Sequence, residues 1–128
     1  MPAPSSFEYA VFRVVPRVER EEFVNAGVIL FCRERDFLAA RIEVDERRLR
    51  ALWPSIDVEL LRRHLGAIPK VCAGSSDGGP IARLSLRERF NWLTSTRSTM
   101  IQVSPVHAGL CAEPEPALDE LFRLRVLP

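Results

Sequence analysis

An α+β domain with a mainly antiparallel sheet of about four strands, packed against helices on one face, is the fold this sequence predicts. Three observations lead there. Strand-like apolar runs come first, helical periodicity gathers in the middle, and period-two alternation returns near residue 100. A doubly wound sheet would need strict alternation of strands and helices, which is missing. The length of 128 residues and a hydrophobic content of 47% suit one core, so residues 1–128 are read as a single domain. Residues 1–6 form a flexible N-terminus in this reading, and residues 73–84, opening AGSSDGGP, form a loop.

Residues 7–15 are rich in aromatic and β-branched side chains, apolar on both faces, and stop at Pro16 as a buried strand does. Alternating charges over 17–25 suit a short helix or turn leading to Gly27. The run VILFC then continues through the polar RERD to residues 37–44, a β-hairpin. Asp45 is placed to cap a helix that carries Leu49, Leu52 and Trp53 on one face and ends at Pro54. A second helix sets Val58, Leu61, Leu65 and Ile68 at spacings of three and four, with Asp57 and Glu59 in its first turn and an end near Pro69. Ser85 and Glu88 have capping-box spacing ahead of Leu86, Phe90 and Leu93. Thr99, Ile101 and Val103 alternate with Met100, Gln102 and Ser104, which predicts a strand in the same sheet with Ile101 and Val103 almost fully buried. Pro105 ends its ladder. Pro116 sits in the first turn of a last helix that turns Leu118, Leu121 and Phe122 inward.

Composition excludes several classes. A net charge of +1 provides no general attraction to nucleic acid or anionic membrane. Nowhere do eighteen apolar residues follow one another, and the first residues lack the pattern of a signal peptide. Three scattered cysteines, Cys32, Cys72 and Cys111, make no disulfide framework and fit a reducing cytoplasm. No phosphate-binding glycine loop occurs, and the lone Lys70 lacks the acidic partner of a common nuclease motif. His107 and Cys111 have zinc spacing only on a helix, which Pro105 and Gly109 oppose, so neither a metal nor another cofactor is expected.

The stretch RSTMIQVSPVHAGLC, residues 97–111, concentrates polar chemistry on one strand and the turn after it. His107 is a candidate general base toward Ser98, Thr99 or Ser104, which makes His107 and Ser104 the catalytic candidates; the alternative is a turn pinned by His107 through backbone carbonyls. Arg97, Ser98 and Thr99 could cradle an anion, with Gln102 and Asn25 as further ligand-binding candidates. The alternative for Arg97 is a solvated connection, and for Asn25 and Gly27 a tied turn. His64 borders an apolar stripe and is read as a partly buried packing residue.

The segments FEYAVFRVVPRVEREEFVNAGVILF and FNWLTSTRSTMIQVSPVHAGLCAEPEPALDELF together resemble the bacterial family called domain of unknown function 3037. The resemblance runs from Phe7 to Phe122, and Asn25, Gly27, Ser104, Pro105, His107 and Gly109 stand as it expects. It implies a small bacterial cytoplasmic domain with no established reaction and with genes that neighbour kinases similar to the toxin kinase of persistence modules. Two functions remain open, with or without enzymatic activity. One is a non-enzymatic module binding a protein partner, such as a neighbouring kinase, through a sheet edge or the helix bearing Arg47, Arg48 and Arg50. The other is a small enzyme or effector acting on a phosphate-containing or nucleic-acid substrate through the Arg/Ser/Thr/His cluster.

Overall fold

The first strand decides the architecture, because both of its faces must be covered. The computed structural model describes residues 3–95 and 100–128. In chain order these form β1 (Ser5–Val14), β2 (Val24–Cys32), β3 (Phe37–Ile42), α1 (Glu46–Leu52), α2 (Val58–Ala73), α3 (Leu86–Leu93), β4 (Ile101–Val103), β5 (His107–Cys111) and α4 (Pro114–Arg125). The sheet is antiparallel throughout, ordered β3-β2-β1, and the outer side of β1 is shared by β4 and β5. The class is α+β, with five strands in place of the expected four.

Alternation along β1 sorts two cores. Ala10, Phe12 and Val14 join Ile29, Phe31, Leu49, Leu65 and Phe90 beneath α1, α2 and α3. Phe7 and Val11 join Val28, Leu30, Cys32 and Leu118 on the opposite face, where α4 lies. Helices therefore cover both faces of the sheet, not the single face expected. A single covered face would leave the second apolar side of β1 and β2 in water.

The hairpin forms as expected, turning through residues 33–35 with Asp36 in the left-handed region at φ 53°. Gly27 is required by close approach: a Cβ there would lie 2.5 Å from Ile42 Cδ1 and 3.0 Å from the Arg41 carbonyl. Beside it the register slips, Phe12 facing Gly27 but Arg13 facing Asn25, so Ala26 is the extra residue of a bulge. Ser5 and Ser6, expected in a loose N-terminus, belong to β1.

Asp45 and Asp57 cap α1 and α2, accepting from the Arg48 and Leu60 amides. The second helix does not end near Pro69 but runs four residues further. Losing one helical hydrogen bond at a proline is outweighed here, because Val71 and Cys72 lie in the core. The end is also well made: Gly74 at φ 68° and Ser75 donate amides to the Val71 and Lys70 carbonyls, a Schellman pair. Residues 73–84 then hold two 3-10 turns that bury Ala82.

In α3 the capping box is complete, Ser85 Oγ accepting from the Glu88 amide and Glu88 reaching back to the Ser85 amide. We expect Ser85→Ala to cost about 1 kcal/mol in urea denaturation. The Ser85 hydroxyl, followed by its backbone amide, holds the Glu88 carboxyl below the usual range. A depressed carboxyl stabilises fully above its unfolded pKa and stops doing so as pH falls through the lower folded value. Glu88→Gln should therefore flatten the acid limb of a stability profile and leave its alkaline limb unchanged.

Near residue 100 the strand is shorter than its alternation indicates. Ile101 and Val103 do face the helices and pair across from Val14 and Phe12, but both are only half-buried. Their outer sides line an apolar groove of about 370 Å³ between β4, α2 and α3. Ile101→Ala should therefore cost about 1 to 2 kcal/mol, below the range for a fully buried site. Among the described residues, no helix is long and apolar enough to cross a membrane.

Candidate functional site

After Pro105 the chain does not turn away. It resumes as β5, laying His107 opposite Tyr9 and Cys111 opposite Ser5. Between Val103 opposite Phe12 and His107 opposite Tyr9, the chain holds one residue more than β1 does, so β4 and β5 are one edge interrupted by a bulge. Ser104 fastens that interruption. Its amide donates to the Val11 carbonyl, its Oγ accepts from the Val11 amide at 2.8 Å, and its hydroxyl donates to the Pro105 carbonyl at 2.9 Å. The side chain is buried, and its one proton is directed at backbone.

Outside β5 no strand pairs among the described residues. His107, Ala108 and Leu110 are exposed, Leu110 at 72%, and Val106 ahead of them is also open to solvent. Gly109 allows the tip of the Phe7 ring to approach this strand closely, for a Cβ there would fall 2.6 Å from the Phe7 Cζ. The edge carries no acidic or lysine side chain and no proline within the strand, so it lacks the usual guards against pairing with another chain.

On the α4 side, the register sets Asn25, Arg13 and Gln102 side by side on β2, β1 and β4. Asn25 Nδ2 donates to the Arg125 carbonyl at the end of α4, 2.9 Å away. Arg13 holds its guanidinium carbon 4.6 Å from the centre of the Phe23 ring, a cation–π contact. Further along the same face, the His107 ring lies 5.3 Å from that of Tyr9, whose hydroxyl accepts a long contact from Arg125 Nη2 at 3.5 Å.

The structure thus brings Asn25, Gln102 and His107 to one face, with Ser104 at its border. Arg97, Ser98 and Thr99 lie outside the described residues. His64, read as a packing residue, is exposed and borders the apolar groove. Sequence reasoning missed Arg13, Tyr9 and Arg125. Arg13 stands in a strand that reads as apolar throughout, and only the bulge and the cross-strand partners show that its face is polar.

Among the described residues, no group of three or more His, Cys, Asp or Glu side chains is placed to hold a metal ion. All three cysteines are buried and unbridged. Burial pushes the Cys72 thiol up to about 12. Burial first, then the neighbouring Cys32 thiol, raises that of Cys111. With both thiols buried and pushed up, iodoacetamide at pH 8 should modify neither in the folded protein, while urea should expose both; rapid labelling in buffer would contradict this burial.

No curated protein matches this chain, and no solved structure does. A family model covers residues 9–126, nearly the whole chain. The chain therefore belongs to the family described as "Protein of unknown function (DUF3037)".

Proposed function

We propose that this chain is a non-enzymatic protein-binding or regulatory module of the bacterial cytoplasm, accepting an extended segment of a partner protein along β5. The open, uncharged edge with Leu110 exposed at 72% is the observation that carries the reading. Strand addition at such an edge supplies affinity through backbone hydrogen bonds and specificity through alternate side chains. Ala108 and Leu110 both face the α3 side, opposite Glu8 and Ser6, so a partner strand with apolar residues at alternate positions would cover them. The commitment of the Ser104 hydroxyl to backbone supports binding over a hydrolytic role.

A kinase encoded beside this gene is the partner to test first, as the family resemblance nominates it. The tagged chain should retain that kinase on co-purification, and Leu110→Arg should abolish retention with melting unchanged. Undiminished retention by this variant contradicts binding at β5.

A further inference from the structure

We propose that the groove between β4, α2 and α3 binds a free apolar carboxylate of the size of a medium-chain fatty acid, a use of this face independent of strand addition at β5. Its volume of about 370 Å³ lies at the small end of the range for ligand pockets, roughly 300 to 1,000 Å³. It reaches down to the core. Phe12 and Leu93, 1% and 3% exposed, line it together with the half-buried Ile101 and Val103. Trp92 stands at its side with 41% of its surface open. Apolar walls left open to water are unfavourable, and an apolar ligand body removes that cost. Three elements wall the groove, so it is a concavity and suits a small molecule better than a flat protein surface.

The rim defines the head group. Among the described lining residues, polar side chains come from His64 and Ser95 besides the Trp92 indole, and none is acidic. The Ser95 hydroxyl donates its proton to the Asn91 carbonyl at 2.8 Å. The His64 imidazole is exposed and has no partner among the described residues, so it offers an N–H to a ligand oxygen.

Charge around the groove favours an anion. Arg63 precedes Ala67, a lining residue, by one turn of α2, and it is exposed with no ion pair among the described residues. Asp77, next to the lining Gly78, is already held by Lys70 at 3.1 Å and by the Ser75 hydroxyl. One imidazole donor beside one unpaired guanidinium fits a carboxylate, whereas a phosphate dianion would ask for more donors than the rim supplies.

Calorimetric titration of the full chain with decanoate tests the site, with decanol and acetate as probes carrying one feature each. Decanoate should bind once per chain and about tenfold or more tightly than decanol, and acetate should not bind detectably. His64→Leu should bring decanoate down to the affinity of decanol. Ala67→Phe, placed on an exposed residue of the wall, should fill the groove and weaken both by about tenfold or more. Each variant's melting is measured alongside. If Ala67→Phe melts early, fluorescence locates the ligand instead: a brominated decanoate should quench the parent chain and leave Trp92→Phe, which keeps Trp53, unquenched. Leu110→Arg should bind decanoate like the parent chain, which separates this site from strand addition. Equal affinity for decanoate and decanol in the parent chain, no binding at millimolar decanoate, several equivalents per chain, or binding by a folded Ala67→Phe variant at the parent's affinity would overturn the proposal.

Discussion

Phe12→Ala should remove about 3 to 5 kcal/mol of stability, the largest single loss we expect in this chain. Phe12 is 1% exposed and lies where β2, β1 and β4 meet, opposite Gly27 on one side and Val103 on the other. Its ring fills the space that the glycine leaves, for a Cβ built on Gly27 would come within 3.4 Å of Phe12 Cδ2. No neighbour can move in when the ring is removed, because backbone pairing on both flanks fixes the strands, so the cavity term remains in full. Urea denaturation measures the loss through a fall in midpoint at constant slope. A loss below about 1 kcal/mol would mean that the core does not run through this residue.

Arg89→Ala is the second large effect, about 1.5 to 3 kcal/mol. From α3 its guanidinium donates to the Cys72 carbonyl at 2.7 Å, the Val71 carbonyl at 3.1 Å and the Leu84 carbonyl at 2.9 Å. The Val71 and Cys72 carbonyls lie at the end of α2, with no continuing helix to serve them, and Leu84 lies just ahead of α3. Gly74 still donates to Val71 in the variant, but the described hydrogen bonds offer Cys72 and Leu84 no replacement. The loss should localise, with faster amide exchange in the last turn of α2 and in residues 73–84. Arg89→Lys should recover only part of it, because one ammonium cannot serve three carbonyls held in a fork. An unchanged midpoint for Arg89→Ala would contradict the bracing of α2 by α3.

The sequence displays those features of the fold whose causes are local. Asp45 and the Ser85–Glu88 box mark helix starts because capping acts within one turn, and Asp57, read inside the first turn of α2, proves to be its cap. The spacing of Val58, Leu61, Leu65 and Ile68 marks a buried face for the same reason. Pro69 misleads because the burial of Val71 and Cys72 and the donation from Arg89 come from elsewhere in the chain. β5 is hidden because histidine, alanine and glycine have little strand preference, and it is Phe7, about a hundred residues earlier, that gives Gly109 its place.

The candidate site follows the same division. The outward face of Gln102 is legible from alternation with Ile101 and Val103, and the polarity of Asn25 and His107 is visible directly. Their meeting with Arg13 is not, since it depends on the register slip at Ala26 and on pairing of β1 with both a neighbour and a distant strand. Ser104 reads as a free hydroxyl in sequence, and only the bulge after β4 assigns its proton to the Pro105 carbonyl.

Hydrogen exchange of residues 106–112, measured by mass spectrometry with and without the proposed partner kinase, tests strand addition at β5 most directly. The amides of β5 that face away from β1 lack strand partners in the free chain and should exchange quickly there. Binding as proposed should slow their exchange by about tenfold or more, as for other strand hydrogen bonds that open only with the complex. Partner binding that leaves exchange across β5 unchanged and protects another surface would contradict the account.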